Sequence, residues 1–245
     1  MKSFCSDVPA LLYTGEVRPG DLIVLDQEEA RHARALRLRE GDPVVLLDGR
    51  GRRSRGILEH LQKRSTSVKV LDTVLEEPDP GLYIGLAVGV LADRSRMEWL
   101  VEKSVELGVR EIFPVRSKRT EGFSKAERLQ RVAIAALKQC QRSRLPEIHE
   151  ELSWDEAVEA GTAYDAVALF HEQETAEEDF RSFLENLAEK KRVLLMIGPE
   201  GGFTEEEVQM VRTGANSHVV SLGPTRFRAE TAAVVALGTL ATVLP

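Results

Sequence analysis

The chain has 245 residues, of which 42% are hydrophobic and 30% charged, so it can bury one large or two small cores. Its two cysteines and five histidines lack the spacings of a disulfide framework or a metal site, and the sequence predicts neither. We find no signal peptide and no apolar stretch of membrane-spanning length, and we expect a cytoplasmic protein that does not enter a membrane. The net charge of −7 argues against RNA binding over the whole surface.

Basic residues are nevertheless concentrated in the N-terminal third of the chain. Between Arg31 and Lys69 the arginines far outnumber the acids. A local basic patch governs docking on a phosphate backbone more than the net charge does. We predict RNA contacts in this region, although the same side chains could form a solvated, ion-paired surface. The predicted contacts are Arg31, Arg34, Arg37, Arg52 and Arg53.

The same region contains short β-like runs bounded by turn residues, a pattern typical of a small β-barrel. One helix is predicted among them, from about Glu28 to Leu38. The β-like runs are Leu22 to Leu25, Val44 to Leu47 and Val68 to Leu71, with a turn at Asp48 to Gly51.

The composition changes at Glu76 to Gly81, where two prolines, a glycine and three acids indicate a linker. We therefore predict two domains, a β-barrel over residues 1–77 and an α/β domain over residues 78–245. Strands and helices alternate in the second domain, which indicates a mostly parallel sheet. Ser95, with Glu98 three residues later, is predicted to cap its first helix. The predicted strands are Leu82 to Leu91, Glu111 to Val115, Ala166 to Phe170, Val193 to Ile197 and His218 to Leu222.

Two glycine-containing loops follow the last two predicted strands, at Gly198 to Gly202 and at Leu222 to Pro224. Because ligands of open α/β sheets bind at the carboxyl ends of strands, the two loops can meet over one ligand. The first loop lacks the spacing of phosphate and dinucleotide motifs, and Glu200 would repel a phosphate. It suits a ligand that is cationic or rich in hydroxyl and amino donors, or it is simply a tight strand-to-helix turn. Thr204 and Glu207 predict a capped helix after it.

Two arginines and a glutamate, Arg226, Arg228 and Glu230, precede an apolar run from Ala232 to Leu244. This run is too short to span a bilayer and predicts a buried terminal helix. The three charged residues could be ordinary surface groups. They could equally bind an anionic substrate beside the first loop.

The segments Ile197 to Phe203 and Leu222 to Ala232 together resemble the signature of the RsmE family of ribosomal RNA small-subunit methyltransferases. This family belongs to the SPOUT superfamily of knotted methyltransferases. Further segments resemble the family in the expected order and roughly the expected spacing, so the resemblance runs nearly end to end. These segments are His32 to Asp42, Met97 to Val109 and Ala135 to Ile148.

The resemblance implies an α/β fold, in which a SPOUT domain with a C-terminal trefoil knot follows a PUA-like, RNA-gripping β-barrel. The implied activity is methyl transfer from S-adenosylmethionine to N3 of a uridine in small-subunit (16S) ribosomal RNA. The implied partner is this RNA or the assembled small ribosomal subunit. Relatives in the superfamily imply a homodimer.

The resemblance also implies roles for particular residues. Arg228 would stabilise the negative charge that develops on the uracil as its proton leaves. Glu230 would either accept that proton or orient Arg228. His171 could act as a base or line the pocket. The implied cofactor pocket comprises Leu169, His171, Ile197, Gly198, Pro199, Glu200, Gly201, Gly202, Leu222, Gly223, Phe227, Thr231 and Ala232. Further RNA contacts, or surface ion pairs, are predicted at Arg116, Arg119, Arg142 and Arg144.

Two other functions stay open on the sequence. The run Arg226 to Ala229 departs from the family pattern and lacks a hydroxyl at Ala229, which is compatible with an RNA-binding or ribosome-assembly protein without turnover. A nucleotide-dependent hydrolase is the weaker alternative, because the chain shows no phosphate loop, metal cluster or nucleophile–base pair.

Overall fold

The computed structural model describes residues 8–62, 65–75, 82–171, 178–187 and 191–243, and the chain divides into two compact units. The N-terminal unit comprises Met1–Pro78 together with Ile134–Leu145, and the second unit comprises Asp79–Ala133 and Pro146–Pro245. The predicted linker at residues 76–81 lies outside the described residues. The grouping differs from the predicted division in one segment, because residues 134–145 pack with the N-terminal unit.

The N-terminal unit contains a five-stranded sheet in the order β1-β3-β4-β5-β2. The β1–β3 pairing is parallel, and the other pairings are antiparallel. The three predicted runs are all strands, whereas β1 and β4 were not predicted. The elements are β1 (Ala10–Leu12), β2 (Leu22–Val24), α1 (Gln27–Ala35), β3 (Pro43–Leu47), β4 (Arg52–Leu61) and β5 (Thr66–Leu75).

Helix α1 is shorter than predicted. It begins after Asp26, whose side chain accepts a hydrogen bond from the backbone N–H of Glu29 at 2.8 Å, and it ends at Ala35 rather than near Leu38. The backbone of Arg37 has a φ of 58°, in the left-handed region, which an α-helix cannot contain. The predicted helix end was therefore wrong by about one turn.

A buried ion pair lies within the N-terminal unit. Nζ of Lys138 lies 2.6 Å from Oε1 of Glu29, and the two side chains are 10% and 5% exposed. The other oxygen of Glu29 accepts a hydrogen bond from the backbone N–H of Leu12 at 3.0 Å. Gln141 donates to the backbone carbonyl of Val8 at 2.9 Å. These contacts explain why residues 134–145 group with the N-terminal unit.

The second unit is built on an eight-stranded sheet in the order β11-β13-β10-β12-β6-β7-β8, with β9 also on β7. The pairings among its described strands are parallel. All five predicted strands are present, within two residues of the predicted bounds. The strands are β6 (Tyr83–Gly89), β7 (Glu111–Arg116), β8 (Glu147–Ile148), β9 (Leu152–Ser153), β10 (Ala166–Phe170), β11 (Glu178–Asp179), β12 (Arg192–Ile197) and β13 (Ser217–Ser221).

Helices connect these strands, and the last of them ends the described chain. The terminal helix α7 buries Ala233, Leu237 and Leu240 and packs against α2 and β12. Among the described residues, the longest apolar helix is still too short to cross a membrane. The helices are α2 (Arg94–Glu106), α3 (Ala126–Cys140), α4 (Trp154–Gly161), α5 (Phe180–Glu185), α6 (Glu205–Arg212) and α7 (Ala229–Val243). The part of α3 from Ile134 onward belongs to the N-terminal unit.

Two predicted helix caps have different outcomes. The capping box of Thr204 and Glu207 at the start of α6 is confirmed, with both reciprocal hydrogen bonds present. The predicted box of Ser95 and Glu98 is wrong, because Asp93 caps α2 and accepts from the backbone N–H of Ser95 at 2.8 Å. Aspartate caps a helix at least as well as serine does, so Asp93 is the N-cap residue and Ser95 lies inside the first turn.

The first prediction concerns the contribution of the buried Glu29–Lys138 ion pair to stability. In a Lys138→Met variant the Glu29 carboxylate stays buried without its cation, so the free energy of unfolding should fall by about 3–5 kcal/mol. Urea denaturation followed by circular dichroism measures this change. The exposed Lys69→Met is the matched control and should change stability by less than about 0.5 kcal/mol. The double variant Lys138→Met/Glu29→Gln should recover part of the loss; a Lys138→Met variant as stable as the control would contradict this reading.

Candidate active site

The carboxyl ends of three adjacent strands lie side by side in the second unit. Strand β10 pairs in parallel with β12 on one side and with β13 on the other. His171 follows β10, Gly198 follows β12, and Leu222 follows β13. All three residues line one cavity of about 980 Å³, a volume within the range of small-molecule sites. The two glycine-containing loops therefore do meet over one space.

Most residues of the implied cofactor pocket line this cavity. Arg228 lines it as well, together with Asp93, Arg96 and Arg119 from elsewhere in the unit. The lining members of the implied pocket are His171, Ile197, Gly198, Pro199, Glu200, Gly201, Gly202, Leu222, Gly223, Phe227 and Ala232.

Two members of the implied pocket lie elsewhere. The side chain of Leu169 is fully buried in the sheet core, where it packs with residues such as Met196 and Val219. Thr231 is half-buried in the first turn of α7. The side chain of Leu169 therefore belongs to the sheet core and is not among those that line the cavity.

Backbone geometry explains two of the glycines around the cavity. Gly223 has a φ of 109°, a conformation that side-chain-bearing residues rarely adopt. At Gly89, the last residue of β6, an added Cβ would lie 2.4 Å from both the backbone N and the Cδ of Pro199. The first loop can therefore lie directly over the end of β6 only because Gly89 has no side chain.

Arg96, in the first turn of α2, forms hydrogen bonds with two separate segments, the start of α7 and the first loop. Its Nε and one terminal nitrogen donate to the two carboxylate oxygens of Glu230, at 2.8 and 2.5 Å. Its other terminal nitrogen donates to Oε1 of Glu200 at 2.9 Å. The same Glu200 carboxylate accepts from the backbone N–H of Ala92, at 3.3 and 3.4 Å. One guanidinium therefore links the first loop to the start of α7.

This network determines the protonation of Glu230. The hydrogen bonds from Arg96 lower the pKa of Glu230 and outweigh the opposing effect of burial, while the charge of Arg228 contributes less. Arg228 acts on Glu230 through its charge, whereas Arg96 forms the hydrogen bonds. A carboxylate with a lowered pKa stays ionised and is a weak proton acceptor.

Arg119, which was predicted to contact RNA, holds the first loop in the structure. One terminal nitrogen of its guanidinium donates to the backbone carbonyl of Gly201 at 2.9 Å and to that of Phe203 at 3.1 Å. These bonds satisfy carbonyl groups of an irregular segment that has no sheet partner.

The other predicted RNA contacts fall into two groups. Arg31, Arg34, Arg37 and Arg52 are exposed in the N-terminal unit. The other predicted RNA contacts either bond to neighbouring protein groups or are half-buried. In this second group Arg53 donates to Gln141, Arg144 to the carbonyl of Arg50, Arg116 pairs with Glu151, and Arg142 is half-buried.

Arg96 was not predicted as a site residue from the sequence. A signal was available, because Arg96 follows strand β6, whose carboxyl end lies at the same sheet edge as those of β10 and β12. Its partners Glu200 and Glu230 are more than 100 positions away, at separations of 104 and 134 residues. Local patterns cannot reveal a pairing at that distance.

One group among the described residues has side chains of metal-ligating type, at Glu111, Glu147 and His149, with potential ligand atoms within 4.8 Å of one another. Protein groups already surround it. Glu111 accepts a hydrogen bond from the hydroxyl of Tyr164 and lies 3.6 Å from Arg192. The nearby guanidinium charge disfavours a cation there, and the group is explained by its protein contacts.

Known proteins resemble the chain over nearly its whole length. A family model described as an RNA methyltransferase domain matches residues 78–241, and one described as an RNA methyltransferase PUA domain matches residues 25–71. Ribosomal RNA small subunit methyltransferase E of Mycobacterium bovis is 31% identical and aligns over 94% of this chain and 90% of its own. The same-named protein of Synechocystis is 30% identical and aligns over 86% of this chain and 69% of its own.

Two solved structures have the same fold. Ribosomal RNA small subunit methyltransferase E of Neisseria gonorrhoeae, bound to S-adenosyl methionine, aligns with a TM-score of 0.86 at 26% identity, covering 96% of this chain and 98% of that one. A methyltransferase from Legionella pneumophila, in complex with the cofactor SAM, gives the same TM-score and coverages at 27% identity. The fold is thus that of an RNA methyltransferase with a PUA-like domain. The chain belongs to the ribosomal RNA small subunit methyltransferase E family, which confirms the resemblance identified in the sequence.

The next prediction concerns the backbone conformation of Gly223 in the second loop. A Gly223→Ala variant forces an L side chain into a φ of 109° and should lower the free energy of unfolding by about 1–3 kcal/mol. The matched control is Gly238→Ala in helix α7, where an added Cβ meets nothing within 4 Å and should stabilise by about 0.5–1 kcal/mol. Urea denaturation of both variants checks the opposite signs. If the two variants changed the free energy of unfolding equally, alanine would be tolerated at position 223 without backbone strain, and the prediction would be wrong.

Proposed function

We propose that the protein transfers a methyl group from S-adenosylmethionine to N3 of a uridine in small-subunit (16S) ribosomal RNA. The observation that carries the proposal is the meeting of the loops after β10, β12 and β13 over one cavity, with Arg228 on its wall. Family membership supports the reaction class, and two related structures carry the same cofactor. The choice of uridine N3 rests on the resemblance of the signature segments.

The cavity fits S-adenosylmethionine in size and in chemistry. Ile197, Leu222 and Phe227 offer apolar surface for a flat base such as adenine, and the glycines of both loops leave backbone groups accessible. Glu200 also lines the cavity, and its carboxylate suits the cationic groups of this cofactor. When bound, the cofactor supplies an electrophilic methyl group on a positively charged sulfur. The residues present therefore fit the proposed ligand.

Arg228 is the proposed catalytic residue. It lies exposed immediately before α7, and its backbone carbonyl accepts a hydrogen bond from Ala232 at 2.8 Å, which fixes the backbone at this position. N3 of uracil must lose its proton to become a nucleophile, and the negative charge then spreads over the base. A guanidinium beside the base stabilises that charge and so lowers the barrier.

Glu230 has a structural role in this proposal. The sequence left two roles open for Glu230, proton acceptor or orienter of Arg228. Its hydrogen bonds support neither role by direct contact, because Arg96 occupies both carboxylate oxygens. A lowered pKa also opposes proton uptake at Glu230. We propose that Glu230 anchors the start of α7, that Arg228 is thereby held at the cavity, and that the N3 proton passes to solvent.

The finer points of the fold are part of the same proposal. We propose that residues 1–77 and 78–245 act as an RNA-binding and a catalytic domain. The five-stranded sheet supports a PUA-like barrel, and the placement of β10, β12 and β13 beside one another supports a SPOUT domain with a C-terminal trefoil knot. The exposed arginines of the N-terminal unit support RNA contact there, on naked RNA or on an assembled subunit. A cytoplasmic location without a resident metal fits this function.

A homodimer is proposed as the working form. Trp99 on α2 and Val235 on α7 are 42% and 37% exposed, and the two helices pack against each other. Exposed large apolar side chains are typical of an interface between subunits, and these two support the proposal.

Methyl transfer is tested with labelled S-adenosylmethionine and small ribosomal subunits that lack the modification. The wild type should label uridine N3, located by mass spectrometry of RNA fragments. Arg228→Ala should lower kcat by about 10²–10³-fold, because it removes one stabilising donor, while its cofactor Kd stays within about twofold of the wild type. The exposed Arg181→Ala on α5 is the matched control and should match the wild type.

Two results would contradict the proposal. Cofactor binding by the wild type without any methyl transfer would favour an RNA-binding or ribosome-assembly protein, an alternative for which the altered run around Ala229 is the supporting feature. Label on another atom or another RNA would reject the proposed substrate.

The dimer has its own test. Trp99→Glu places a charge on the proposed interface and should shift sedimentation velocity from dimer towards monomer at micromolar concentration. Met210→Glu, at a residue of α6 that is 39% exposed, is the matched control and should sediment as the wild type. A wild-type protein that sediments as a monomer would reject the dimer.

A further inference from the structure

Arg96 lies where three parts of the second unit meet. It belongs to the first turn of α2, its side chain is 24% exposed, and it lines the cavity between the two glycine-containing loops. All three of its guanidinium nitrogens donate to carboxylates at 2.5 to 2.9 Å. Charge-assisted hydrogen bonds of this length are among the stronger contacts in proteins.

The two carboxylates are held differently. Glu230 is 11% exposed and receives two of the bonds, in a bidentate arrangement. Glu200 is 35% exposed and receives one bond from Arg96, plus the long bonds from the N–H of Ala92. The link to the start of α7 is therefore the stronger one, and the link to the first loop is the weaker.

Without Arg96, the carboxylates of Glu200 and Glu230 would lose the cation that they share. Like charges repel, and both carboxylates would lose their hydrogen bonds to the guanidinium. The first loop and the start of α7 would then separate or reorient, and these are the elements that carry Glu200 and Arg228.

We infer that Arg96 is a positioning residue that fixes the first loop against the start of α7 and thereby holds the cavity in its cofactor-binding form. The inference rests on the proposed function for the identity of the ligand. It adds a residue of α2 to a site that is otherwise formed from loops much later in the chain. Arg96 touches neither the methyl group nor the uracil in this account, and its effect passes through Glu200 and Glu230.

The planar guanidinium is essential to this role. Arginine presents its donors in a rigid fork that can serve Glu230 twice and Glu200 once. A lysine ammonium carries the same charge but is a compact point charge that cannot reproduce the bidentate geometry. Charge alone should therefore restore only part of the function.

The test compares Arg96→Gln and Arg96→Lys with Arg94→Gln, a matched control two residues earlier on the exposed side of α2. Isothermal titration calorimetry gives the Kd for S-adenosylmethionine, and thermal unfolding gives Tm. We expect Arg96→Gln to weaken cofactor binding by about 10- to 100-fold, Arg96→Lys to weaken it less, and Arg94→Gln to bind as the wild type. Arg96→Lys should do so with a Tm close to that of the wild type.

A double-mutant cycle separates positioning from a general loss of structure. If Arg96 acts through Glu230, the Arg96→Gln/Glu230→Gln variant should bind the cofactor no more weakly than Arg96→Gln alone. RNA binding without cofactor, measured by filter binding, should not change in any of these variants.

The inference fails if Arg96→Lys binds the cofactor as tightly as the wild type, or if the Arg96→Gln and Glu230→Gln effects simply add. These outcomes leave the proposed function intact, provided that the wild type transfers methyl groups. A wild type that binds the cofactor but methylates no RNA rejects the proposed function and leaves the role of Arg96 to be decided by the same calorimetry.

Discussion

Parallel pairing of the central strands determines where the site lies. Strands β13, β10, β12 and β6 run in one direction, so their carboxyl ends fall on one edge, and the segment after each strand begins there. The strands cannot shift easily, because residues such as Leu169, Leu195 and Val219 are completely buried between the layers. A one-residue slip would move each of these side chains to the opposite face of the sheet, which is also buried and packed with other neighbours. The cavity at this edge is therefore as well defined as the core beneath it.

Charge-assisted contacts then shape the irregular segments above that edge. Arg119, after β7, binds carbonyl groups of the first loop, and Arg96, after β6, binds carboxylates of the loop and of α7. Both arginines thus come from the first half of the second unit and hold segments that follow in its second half. Arg228 acts on Glu230 through its charge, and its guanidinium is the one that we assign to the substrate.

The sequence predicts the parts of this fold that local patterns control. Strands β10 and β12 are continuous apolar runs, and the capping box of Thr204 satisfies its own helix start. Strand β4 escaped prediction because its inward positions include Ser54 and Gly56, so the apolar alternation is weak. The same limit applies to residues 134–145, whose grouping depends on a buried partner, Glu29, far away in the chain.

The candidate site likewise has features that local sequence patterns predict and features that depend on distant residues. The loops could be identified because glycine, proline and glutamate stand together after apolar strands, and the family signature added Arg228. The role of Arg96 could not be read, because a guanidinium on a helix start is usually solvated and its partners are distant in sequence. Likewise, the structure assigns Arg119 to loop carbonyls, although its sequence neighbourhood looked like an RNA-binding surface.

The central claim is that both glycine-containing loops bind one S-adenosylmethionine molecule. Hydrogen–deuterium exchange with mass spectrometry, with and without the cofactor, tests it most directly, because bound ligand protects the backbone amides that it covers or orders. The account predicts slower exchange in residues 198–203 and in residues 222–228 together, with no change in the exposed arginine-bearing helix α1. Protection of only one of the two loops, or of neither, would contradict it.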